Sequence, residues 1–197
     1  MLIKKKGFNF SKKEIRDLIK AWLVLSLAFA IVFNGLNFNL QFIAAILVSA
    51  ITVGTAFIFH ELGHKFTAQH YGCFAEFRSF DNMIFLALIL SFFGFIFAAP
   101  GAVMISGPIG KRRNGKISLA GPLTNMVLAI LFMIIHMFTP NIITLYGFII
   151  NTWIGLFNLI PFAMLDGKKI LNWNKTIYGL MVATGFILLM VQSFIGV

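Results

Sequence analysis

The chain has 197 residues, 59% of them hydrophobic and only 11% charged, with a formal net charge of +10. Several apolar runs approach about 20 residues, which excludes an ordinary soluble domain and points to a polytopic membrane protein. The basic residues sit in short clusters between those runs, as the positive-inside rule expects, so the charge argues against nucleic acid as a partner.

Residues 1–19 are basic and mildly amphipathic. Ser11 and Glu14 fit a capping box, which predicts a short helix on the cytoplasmic membrane surface. No cleavage site of small residues follows, so the first apolar run, residues 21–33, is expected to remain as a span. Asn34-Gly35-Leu36-Asn37 is a turn. A second span covers residues 40–64, and a more polar stretch covers 65–82. It holds Cys73 as a small loop residue. This single cysteine excludes an intrachain disulfide and a cysteine-based zinc site. Residues 83–98 are apolar, and 102–106 read as a short strand. Lys111, Arg112, Arg113 and Lys116 form a basic loop. Further spans cover 117–138, 142–165 and 176–195, with a turn at 139–141.

Charge decides how residues 83–98 run. If they enter the membrane and return through Pro100-Gly101 and the strand, all 16 Lys and Arg lie on one side. A full crossing would place the most basic loop on the opposite face. A re-entrant hairpin is therefore expected, with its irregular backbone covered by protein or lining a wet cavity. The fold class is an all-α polytopic membrane protein of about five to six spans with this hairpin and strand. Residues 1–19 form an N-terminal segment and 20–197 one membrane-embedded domain.

Near the end of the second span stands His60-Glu61-Leu62-Gly63-His64. Residues four apart on a helix share a face, so both imidazoles can meet one metal ion. Glu61 is placed to move the proton of an attacking water, and the pattern is that of a zinc hydrolase. Ionisable groups at the edge of an apolar helix are expensive, which favours a functional site over a structural histidine pair. Three residues can complete the ligand set. His70 has the spacing of an extended zincin motif but lacks the glycine that turns the helix, where Thr67 stands. His136 ends a different span, at the opposite membrane side. Asp166 ends an apolar run and, with the hairpin topology, arrives at the face of His64. Its other reading is a solvated carboxylate among Lys168 and Lys169. Asn158 lies two helical turns before it and is suited either to a substrate backbone or to a helix–helix hydrogen bond.

Together these motifs resemble the site-2 protease family of intramembrane zinc metalloproteases. The likeness rests on His60-Glu61-Leu62-Gly63-His64, Asn158 with Pro161, Leu165-Asp166-Gly167, and Gly121-Pro122-Leu123-Thr124-Asn125. It implies one Zn2+ held by His60, His64 and Asp166, with Glu61 as general base. It also implies Asn158 and Asn125 at the substrate side of the site. Lys168 stands where many members have a second glycine, and no PDZ domain or CBS pair is present. The implied partners are a transmembrane protein substrate and the lipid bilayer. The implied location is a cell membrane, multi-pass, with the N-terminus and the site cytoplasmic. The strand at 102–106 is suited to hold an extended substrate by edge pairing. Competing readings are an inactive zinc-binding relative and a metal transporter. A prenyl-protein protease is disfavoured because no Glu follows Glu76.

Overall fold

The computed structural model describes residues 9–37, 39–96, 100–162 and 165–195. Helix α1 (Lys12–Asn34) runs without a break from the basic segment into the first apolar run. Ser11 caps it by accepting the Glu14 amide at 3.1 Å. Only half of the expected capping box forms, because the Glu14 side chain turns to other partners. The first eight residues lie outside the described part.

Helix α2 (Leu40–His70) starts on Asn39, whose side chain accepts from the Phe42 amide. At 1.5 Å per residue its 31 residues extend about 45 Å, more than a hydrocarbon core. Strand β1 (Phe74–Ser79) follows, then α3 (Asp81–Ser91), then β2 (Gly101–Ser106). Here the sequence reading is extended: a strand at 102–106 was expected, its partner at 74–79 was not. Buried Ala75 and Phe77, facing partly buried Ile105 and Val103, make an apolar alternation short enough to pass as a loop.

The sheet brings the two ends of the segment between Ser79 and Gly101 together. β1 and β2 are antiparallel, with Phe77 opposite Val103. The Phe80 amide donates to the Pro100 carbonyl at 2.9 Å, so the chain leaves the sheet at Phe80 and returns to it at Pro100. The 11 residues of α3 reach about 16 Å, roughly half a hydrocarbon core. Residues 97–99 of the predicted 83–98 run lie outside the described part.

Helix α4 (Lys111–Phe138) begins six residues before the predicted span, so the expected basic loop is its first turns. Helix α5 (Ile142–Asn158) opens with a capping box between Asn141 and Thr144 and stops at Asn158, short of the predicted 165. Pro161 explains the stop: it has no N–H to continue the helix and disfavours helical backbone at Ile160. Helices α6 (Asp166–Trp173) and α7 (Lys175–Ile195) complete the chain.

α2 lies at the centre, packed against α1, α4 and α5. One core cluster joins Leu18 and Leu25 of α1, Val53 and Phe57 of α2, Phe77 of β1 and Ile150 of α5. A second joins Met126 of α4, Phe148 of α5, Ile170 of α6 and Leu188 of α7. Among the described residues, α2, α4 and α7 are long and apolar enough to cross a membrane.

Candidate metal centre

Helical spacing puts His60 and His64 on one face of α2, and both are buried. Their Nε2 atoms are 3.0 Å apart. The break after α5 brings Asp166, the first residue of α6, onto them. Its Oδ2 lies 2.9 Å from His64 Nε2 and 3.4 Å from His60 Nε2. Ligands at about 2.0–2.1 Å in a tetrahedron lie about 3.3 Å from one another, so this triangle fits one face around a single zinc ion. These three residues are the one group of that kind among the described residues.

The other ends of the ligands are fixed too. His64 Nδ1–H donates to the Ile117 carbonyl at 2.8 Å. Pro122 sits in the same stretch of α4 and leaves the Ser118 carbonyl without its usual helical donor. His60 Nδ1–H donates to Asn125 Oδ1 at 2.6 Å. Asn125 is held in that orientation because its Nδ2 donates to the Ala56 carbonyl and to Asn151 Oδ1. Asn151 in turn donates to the Gly147 carbonyl. Both acceptors require a proton on Nδ1, so each imidazole, when neutral, carries its lone pair on Nε2. That is the tautomer a metal ligand needs, set by partners one layer out. Asp166 keeps Oδ2 toward the histidines, while Lys169 Nζ stands 3.7 Å from Oδ1.

Two glycines explain motif positions that carry no chemistry. A Cβ on Gly121 would overlap His64 Nε2 and lie 2.6 Å from His60 Nε2. A Cβ on Gly167 would overlap the Leu159 carbonyl, so only glycine lets α6 begin against the end of α5 and carry Asp166 inward.

Glu61 is buried beside the three ligands. Its Oε2 has no hydrogen-bond partner among the described residues. An orphaned carboxylate oxygen, two bare imidazole nitrogens and a second carboxylate form a donor set suited to a metal and an attacking water. The backbone of Val103 in β2 lies within hydrogen-bonding reach of the Glu61 carboxylate.

The chain is 41% identical over 181 residues to "Putative zinc metalloprotease MJ0611" of Methanocaldococcus jannaschii, spanning 88% of this chain and 91% of that protein. The chain belongs to this zinc metalloprotease family. A second relative from the same archaeon, zinc metalloprotease MJ0392, is 28% identical over 120 residues, 58% of this chain and 30% of that protein. No family model and no solved structure matches the chain. Both names agree with the compact site-2 protease-like family that the motifs resemble.

In this zinc metalloprotease the remaining sequence candidates fall as follows. Asn125, expected at the substrate side, is fully buried and its amide is taken up by His60, Ala56 and Asn151. Asn158 is half-buried and donates one N–H to the Ile154 carbonyl. With the helix broken after it, Asn158 and Asp166 do not share a helical face. His70 is exposed beside Tyr71, and His136 pairs with Thr144 Oγ1. Sequence reasoning missed Asn151 and the Ile117 carbonyl, whereas Lys169 stands beside Asp166 as its spacing suggested. Asn151 had a signal, since an amide on an apolar helix needs a partner.

Proposed function

We propose that the protein is an intramembrane zinc metalloprotease of the site-2 type, hydrolysing peptide bonds within or beside transmembrane segments of membrane-protein substrates. The observation that carries this reading is the outer edge of β2, which no further strand covers among the described residues and which meets Glu61 at Val103. Phe77 N–H and the Ala75 carbonyl point away from β2, bonded to Glu14 and Gln69. Antiparallel partners alternate together, so Gly101, Val103 and Ile105 point their backbone groups to the outer edge of β2. No further strand pairs there among the described residues. A transmembrane helix hides its carbonyls in its own hydrogen bonds, so a substrate must unwind before attack. An open edge next to the base offers the unwound segment new partners.

The site would hold one zinc through His60 and His64 Nε2 and Asp166 Oδ2. When bound, zinc acidifies water and polarises a carbonyl. Glu61 accepts the proton of the attacking water and delivers it to the leaving amine. Asn125 keeps His60 in its ligand tautomer, and Ile117 does the same for His64. Asn158 Oδ1 and its second N–H, which bond no other described residue, are suited to a substrate backbone. The chain crosses the membrane with α1, α2, α4, α5 and α7, while α3 dips in and returns. His60 lies about 30 Å along α2, so the site sits at the cytoplasmic edge of the hydrocarbon, among the basic clusters.

The test is cleavage of a single-span peptide in vesicles by the zinc-loaded protein. Wild type is expected to cut it and Glu61→Gln not to, with zinc retained in both. Equal cleavage by both, or none by wild type at full zinc, would overturn the reading.

A further inference from the structure

Glu14 and Lys65 form an ion pair enclosed by protein, at 0% and 1% exposure. Lys65 Nζ lies 2.5 Å from Glu14 Oε2 and 2.8 Å from the Asn9 carbonyl, and stands 3.9 Å over the Phe10 ring. The other oxygen of Glu14, Oε1, accepts the Phe77 amide at 2.9 Å. A buried pair is a weak source of stability, since desolvation offsets much of its attraction. What this pair does uniquely is connect. Lys65 follows the ligand His64 on α2. Phe77 lies in β1 opposite Val103, whose backbone lies against Glu61. One carboxylate therefore ties the head of α1 to the catalytic helix and to the outer edge of the sheet.

We infer that Glu14 is a positioning residue for the substrate. Through the Phe77 amide it fixes the height of the β1–β2 sheet against the head of α1, and so the register at which an extended segment on β2 meets Glu61. This rests on the reading of β2 as the docking strand. Glu14 touches neither the ligands nor the β2 edge, so its removal should spare zinc and move substrate binding.

Two double variants isolate the tie to the sheet. Both remove the charges together, leaving no lone buried ion. Glu14→Gln/Lys65→Met keeps an acceptor for Phe77, and Glu14→Leu/Lys65→Met does not. Each is made in the active protein, for KM and kcat, and in Glu61→Gln, for affinity without turnover. The probe is a fluorescent single-span apolar peptide in phosphatidylcholine vesicles. The leucine double is expected to keep zinc while Kd and KM rise about tenfold, and the glutamine double to stay within about twofold of its parent. Equal values in the two doubles, or a loss confined to kcat, would overturn the inference.

Hydrogen exchange on the Glu61→Gln chain keeps the question decidable if the leucine double does not fold. The Phe77 amide is expected to be protected before peptide is added, and the Ile105 amide only afterwards. A Phe77 amide that exchanges freely would refute the tie. A parent protein that neither binds nor cuts the peptide would overturn the protease reading and this inference with it. Unchanged variants in a parent that does cut would overturn this inference alone.

Discussion

Gly121 faces His64 so closely that a single methyl group on its α-carbon would lie 2.4 Å from the imidazole Nε2, well inside contact distance. The glycine is thus part of the metal centre without offering it an atom. Gly121→Ala is expected to lower zinc affinity by at least about tenfold. Competition with a chromogenic chelator measures this, and an unchanged Kd would mean that α4 moves aside.

Asn151 fixes the other side of the same ligand. It lies two hydrogen bonds from His60, through Asn125. Asn151→Leu removes the acceptor and leaves one Asn125 N–H unpaired in a buried site. Changes at this distance from a metal cost about 10–100-fold in affinity, which the same chelator titration would resolve.

Gly167 is held to glycine by the Leu159 carbonyl. Gly167→Ala is expected to push α6 away from α5, destabilising by about 1–3 kcal/mol and withdrawing Asp166 from the histidines. Thermal unfolding in detergent and bound zinc should fall together. A lower melting temperature at full zinc would separate Asp166 from this contact.

The outer edge of β2 can be tested without touching Glu61. Val103 lies against that carboxylate, so a proline there would disturb two things at once. Ile105→Pro removes an outward N–H two residues away. Cleavage of a transmembrane peptide should fall on the order of tenfold while zinc content stays that of wild type. Unchanged cleavage would place the substrate elsewhere.

What the sequence revealed follows from the range of each signal. The pairing of His60 and His64 is a local helical spacing, legible from five residues. Asp166 is far from them in sequence, and charge placement on one membrane face brought it into view. The span expected over 142–165 breaks at Asn158, because Pro161 ends the helix and apolar composition alone does not show it. The basic run 111–116 reads as a loop because it is charged between apolar runs, yet those residues form the first turns of α4. Glu14 read as a cap because its local partner Ser11 is three residues away, whereas Lys65 and Phe77 are more than 50. Its burial, like that of Asn151, depends on which helices meet, and no local pattern carries that.

The central claim is that His60, His64 and Asp166 hold zinc while Glu61 does not. Bound metal in detergent-purified wild type, Asp166→Ala and Glu61→Ala tests it most directly. The expected result is about one zinc per chain in wild type and in Glu61→Ala, and little in Asp166→Ala. Full zinc in Asp166→Ala, or its loss in Glu61→Ala, would contradict the ligand set drawn from the structure.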